Sequence, residues 1–157
     1  MALGFPKLRL LALALVVLSG SAQAKRDEPA RLELAADATT ASLAEQRAAI
    51  EGAIKDADDY AELRAADRKQ VRDALDRMAG QLETAGSLAA LSEAERSALL
   101  AQQDEVNGIL STAHGDSRMV CKREKEIGSN FRRNVCMTVA QRRRMSEQAQ
   151  QFSPPQS

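Results

Sequence analysis

The sequence predicts a mainly α fold: a small helical bundle of three to four helices with a C-terminal disulfide-closed β-hairpin. Three observations predict it. Apolar residues recur at helical spacing in three stretches of the chain. Much of the apolar count is alanine, which favours helix while adding little core. Both cysteines lie in one stretch, CKREKEIGSNFRRNVC at 121–136, where the periodicity changes from that of a helix to that of strands.

The chain opens with the pattern of a secretory signal over residues 1–24. Lys7 and Arg9 give a positive start, Leu10 to Leu18 is an unbroken apolar run, and Ala22-Gln23-Ala24 is a small-x-small cleavage site. The run is too short to span a bilayer, and no later segment approaches the ~18 apolar residues that a spanning helix needs. No cysteine follows the run, which argues against a lipid-modified N-terminus. Removing 24 of the 157 residues leaves 133, a one-domain length, exported to the periplasm or secreted, with no transmembrane segment.

That exported chain carries 20 basic and 22 acidic residues, but they are unevenly placed. Lys25 to Gly115 holds 11 basic against 18 acidic residues, whereas Asp116 to Ser157 holds 9 against 4. Opposite fields of this kind either attract each other or sort partners. The core must be thin. There is no Trp, Tyr60 is the single tyrosine, and Phe131 and Phe152 are the two phenylalanines after the signal. Leu, Ile, Val and Phe make up 22 of the 133 residues, close to where chains stop burying enough surface to fold.

Residues 25–40, with Pro29 and mixed charge, read as a mobile leader. The helical region spans 41–115. Ser42 and Glu45 have capping-box spacing for a first helix whose stripe is Leu43, Ile50 and Ile54 and which ends near Asp56–Asp59. A second helix over Ala65 to Thr84 carries the stripe Val71, Leu75, Met78 and Leu82, with Gly86 at its end. A third, from Glu93 to Ala113, has the capping box Ser92–Glu95 and the stripe Leu99, Val106 and Leu110, with Gly115 as its stop. The short link between the second and third suits an antiparallel helical hairpin. These two helices also match at a constant offset of 28, for example Arg68 with Arg96, Val71 with Leu99 and Leu82 with Leu110. Shared Ala- and Leu-rich vocabulary or a duplicated helical unit would each produce this.

Residues 116–150 form the basic Cys hairpin and a last helix. Strands are expected over Arg118 to Glu124 and Arg132 to Thr138. A helix capped by Thr138 and Gln141 follows, and 151–157, with Pro154-Pro155, is a disordered tail. An exported, thin-cored chain with two cysteines reads as disulfide-bonded. The pattern C-x6-Gly-Ser-x6-C supports the link between Cys121 and Cys136. With Gly128-Ser129 as the turn the two face each other, and a wider Ile127–Asn130 loop keeps the same register. A redox pair would need the close Cys-x-x-Cys spacing. A metal site would need more ligands than two cysteines and the lone His114, which reads as a cap-region or surface histidine, so no metal or cofactor is expected.

The stretch VCKREKEIGSNFRRNVCMT resembles the C-terminal hairpin of uncharacterised small exported proteins of Gram-negative bacteria. The likeness rests on Cys121, Lys122-Arg123-Glu124-Lys125, Gly128-Ser129 and Cys136-Met137-Thr138, preceded by a helical segment. It covers roughly residues 60 to 145, implies location and architecture, and lends no functional residues.

The candidate anion-binding residues are Lys122, Arg123, Lys125, Arg132 and Arg133 on the hairpin, and Arg142, Arg143 and Arg144 at the start of the last helix. Cations there oppose the helix dipole, so an anion nearby is expected. The acidic helical part of the same chain and an external anionic partner both qualify. Nucleic acid is a poor partner, because the chain is not basic overall and only Phe131 interleaves the charges. No nucleophile elbow, phosphate loop, paired-Gly loop or His-x-x-x-His is present, and carboxylates such as Asp73 with Arg77 are spaced as solvated helix faces. The sequence therefore reads as a non-enzymatic structural or interaction protein of the cell envelope. The alternative is a binder of anionic lipid headgroups or cell-wall polymer through the basic hairpin.

Overall fold

The computed structural model describes residues 28–55, 58–125, 127–128 and 131–152. The expected signal sequence and most of the expected tail lie outside the described residues, as do Asp56 and Ala57, the first half of the Asp56–Asp59 stretch where the first helix was expected to end. The order of elements is α1 (Thr40–Lys55), α2 (Ala65–Ala85), a single 3₁₀ turn (Leu88–Ala90), α3 (Glu93–Ser117), β1 (Met119–Lys125), β2 (Arg132–Thr138) and α4 (Val139–Gln151). The mainly helical fold with a C-terminal two-stranded antiparallel hairpin agrees with the class read from the sequence.

The three stripes form the core. Leu43, Ile50 and Ile54 from α1, Val71, Leu75, Met78 and Leu82 from α2, and Leu99, Val106 and Leu110 from α3 are all buried in one cluster. Leu63, Leu88 and Leu91 in the connections, the lone Tyr60, Leu32 and Ala38 before α1, and Ala74 and Ala113 belong to the same cluster. Helices α2 and α3 pack as the expected hairpin, and Gln70 Nε2 donates to Glu105 across the pair. Arg47 of α1 bridges to Asp76 of α2 and to its own Glu51.

Caps explain the helix limits, and two differ from expectation. The first helix begins earlier than Ser42. Thr39 N–H donates to Ser42 Oγ at 3.0 Å and Ser42 N–H donates back to Thr39 Oγ1 at 3.4 Å, so Ser42 plays the part expected of Glu45. Helix α3 runs past Gly115 to Ser117, which is buried. Its hydroxyl donates to Ala113 O at 2.7 Å and accepts the Glu62 N–H at 2.9 Å, which offsets the helix-weakening glycine. The capping boxes Ser92–Glu95 and Thr138–Gln141 are both formed. At the matching position before α2, Arg64 makes no side-chain cap bond, and its guanidinium instead forms two bonds to the Asp67 carboxylate. Gly86 ends α2 with φ 83°.

The described part of the leader is not loose. Residues 30–34 run extended between α1 and α3 and are held by side-chain amides. Leu32, which is fully buried, donates its N–H to Asn107 Oδ1 at 2.8 Å and accepts from Asn107 Nδ2 at 2.9 Å. Leu34 N–H reaches Gln103 one helical turn earlier, and Glu33 exchanges two bonds of 2.7 Å with Gln46 of α1. Ala30 N–H donates to the Tyr60 hydroxyl at 2.7 Å. The backbone of this segment thus finds its hydrogen-bond partners in side chains of the neighbouring helices and of Tyr60.

The chain leaves and re-enters this body at one place. Val139 N–H donates to Arg118 O at 3.0 Å, and the whole hairpin lies between those two residues.

The candidate anion-binding hairpin

The two strands pair from Met119↔Thr138 to Lys125↔Arg132, with Cys121 opposite Cys136. That is the register expected from the symmetric spacing, and the two sulfurs are bonded. Gly128 adopts φ 84°, a left-handed conformation suited to a tight reversal. Ser129, the other expected turn residue, lies outside the described residues.

Alternation gives the ribbon two unlike faces. One carries the disulfide, Arg123, Asn134, Lys125 and Arg132, all exposed. The other carries Val120, Val135 and Met137, all half-buried, with Lys122 and the opposed charges Glu124 and Arg133. The apolar face is the sheltered one, and the disulfide face meets solvent. Among the described residues, Lys122, Arg123, Lys125 and Arg132 form no ion pair.

The arginines of α4 behave differently. Arg143 makes two bonds to Asp116 of α3, at 2.8 and 3.1 Å. Arg144 makes two to Glu62, at 2.9 and 3.2 Å. Arg142 is half-buried and its Nη2 donates to Val120 O at 3.4 Å. Glu62 is the centre of this docking. Its carboxylate also accepts the Thr138 hydroxyl at 2.6 Å, while its N–H is the one bonded to Ser117. The Arg144 guanidinium, and after it the Thr138 hydroxyl, hold Glu62 below the usual carboxylate range. Asp116 and Glu62 raise the pKa of Arg143 and Arg144 in return. The cleft of about 460 Å³ here is lined by Arg64, Arg143 and Arg144 and equally by Glu62, Asp67 and Asp116, so its charges balance.

The eight basic candidates therefore divide. The five on the hairpin lie together on an exposed ribbon, Arg143 and Arg144 secure α4 to the body, and Arg142 ties α4 to β1 of the ribbon. The acidic partners Glu62 and Asp116 are far apart in the chain, and no spacing pattern joins them. His114 is half-buried, with its ring 5.8 Å from that of Tyr60 and tilted by 55°. Among the described residues no three His, Cys, Asp or Glu side chains gather as metal ligands could, and no helix is long and apolar enough to cross a membrane. Compared with known proteins, the chain matches no protein family, no curated protein and no solved structure.

Proposed function

We propose that this chain is an exported, non-enzymatic interaction protein of the cell envelope, whose helical body holds out a disulfide-braced cationic ribbon to an anionic partner. The observation that carries the reading is the division of the basic residues. Those on α4 are spent on Asp116, Glu62 and Val120 within the molecule, while Lys122, Arg123, Lys125 and Arg132 on the ribbon are exposed and form no ion pair among the described residues. The positions of exposed apolar bulk favour the same module. Met119, Ile127, Phe131, Met145 and Phe152, the exposed large hydrophobic residues among those described, all lie from β1 onward and none on α1, α2 or α3. A partner for the bare helical face has less to grip. Export follows from the reading of residues 1–24 as a signal sequence, and the oxidised cysteine pair suits that destination.

Envelope fractions should capture the purified oxidised protein at low ionic strength and release it as salt shortens the screening length to below about 10 Å. Replacing Lys122, Arg123, Lys125 and Arg132 together by Gln should remove that capture. Salt-resistant capture of one envelope protein, unchanged by the four substitutions, would overturn the reading in favour of a helical docking face.

A further inference from the structure

We infer that the anionic partner is the surface of a lipid bilayer, which the ribbon meets tip first, with Ile127 and Phe131 entering the headgroup layer. The inference rests on the reading of the ribbon as an anion-binding element and adds the class of partner.

Beyond the last pair, Lys125↔Arg132, the chain places Ile127 at full exposure and Phe131 at 86%. Hairpin reversals are ordinarily made of Gly, Asn, Asp, Ser and Pro, which suit water and tight turns. Two large apolar side chains at the far end of a charged ribbon are not needed for the reversal. Charge along the ribbon has a simpler role as well, since cations on unpaired edges discourage strand pairing with other chains. That role explains the strands and leaves the tip unexplained.

The order of groups along the ribbon supplies the explanation. First come Ile127 and Phe131, then Lys125 and Arg132, then the opposed Glu124 and Arg133, then Arg123 about 7 Å behind Lys125, and then the disulfide, with Glu126 standing between Lys125 and Ile127 in the sequence. A bilayer presents its chemistry in the same sequence. The boundary with the acyl chains accepts apolar groups to a depth of about 5–10 Å, and the anionic phosphates lie above it. Aromatic side chains settle at this boundary, with cations reaching the phosphates behind them. A soluble anionic polymer would satisfy the cations and leave the apolar pair in water. The cations strengthen binding by about fivefold each near an anionic surface, and the disulfide limits the ordering that docking demands.

The chain has no tryptophan, so Phe131→Trp makes a single-site reporter at an exposed position. It should be tested in the full oxidised protein with vesicles of equal parts phosphatidylglycerol and phosphatidylcholine, with vesicles of phosphatidylcholine alone, and with soluble polyphosphate. The expected result is a blue-shifted emission, quenched by acyl-brominated lipid, with the anionic vesicles only. The double variant Ile127→Ser with Phe131→Ser should lose about tenfold in vesicle affinity and bind polyphosphate unchanged, its helical circular dichroism intact. Charge-dependent vesicle binding without a Trp shift, or a double variant that binds vesicles like the parent, would overturn bilayer insertion and leave the anion-binding reading standing. Binding to neither vesicles nor polyphosphate at low salt would overturn both.

Discussion

The carboxylate of Glu62 takes the hydroxyl of Thr138 and both terminal nitrogens of Arg144, so a change at this one residue reaches the end of β2 and the start of α4 together. Glu62→Gln keeps the shape and loses the charge. It should cost about 1 kcal/mol at neutral pH, measured as a shift in urea unfolding. The pH dependence has a definite sign. A carboxylate held below its ordinary value contributes its stability in full above the unfolded pKa, ~4.3, and loses it as pH falls through the lower folded value. The gap between parent and Glu62→Gln should therefore be constant near neutrality and close progressively as the pH falls below about 5. A gap that widens under acid would refute the assignment. Little of this residue's role was legible beforehand. Glu62 is one more carboxylate in an acidic stretch, and its partners stand 55, 76 and 82 positions away.

Among the elements, the hairpin was the most legible, because a symmetric spacing about Gly128-Ser129 leaves one register that joins the cysteines. The stripes of α1, α2 and α3 were equally legible, since a period near 3.6 can be counted directly. The leader was not. Leu32 and Leu34 are the only large apolar side chains in a mixed stretch. What orders them is a set of amides, Gln46, Gln103 and Asn107, that read as ordinary polar helix positions until the helices are assembled. The end of α3 misled for a similar reason, because the bonds that carry it past Gly115 come from Ser117 and the distant Glu62. The disulfide prediction belongs at this scale. A two-stranded ribbon alone is marginal in water, and closing a loop of this length contributes roughly 3 kcal/mol in the chain-entropy view. Replacing Cys121 and Cys136 by Ser should abolish cross-strand nuclear Overhauser contacts between Arg123 and Asn134 while the far-ultraviolet helical signal persists. Loss of the helical signal as well would show that the body depends on the ribbon.

Across the whole molecule, apolar burial and charge pairing hold different parts. Helices α1, α2 and α3 share one buried cluster, whereas α4 adds the buried Ala140 to a rim of guanidinium–carboxylate pairs. Exposed pairs contribute little and are screened by salt. Hydrogen exchange should accordingly be slowest at Val71, Leu75, Val106 and Leu110 and faster in α4 by about a hundredfold or more, with the difference growing as salt is added. Equal protection across the four helices would mean that α4 belongs to the core unit. The single exit and return of the chain, marked by the bond from Val139 to Arg118, has a practical consequence. A finger rooted at one knuckle can be transplanted: ribbons of other lengths or opposite polarity, spliced in place of residues 119–137, should leave the palm beneath them folded and alter only what the hand picks up.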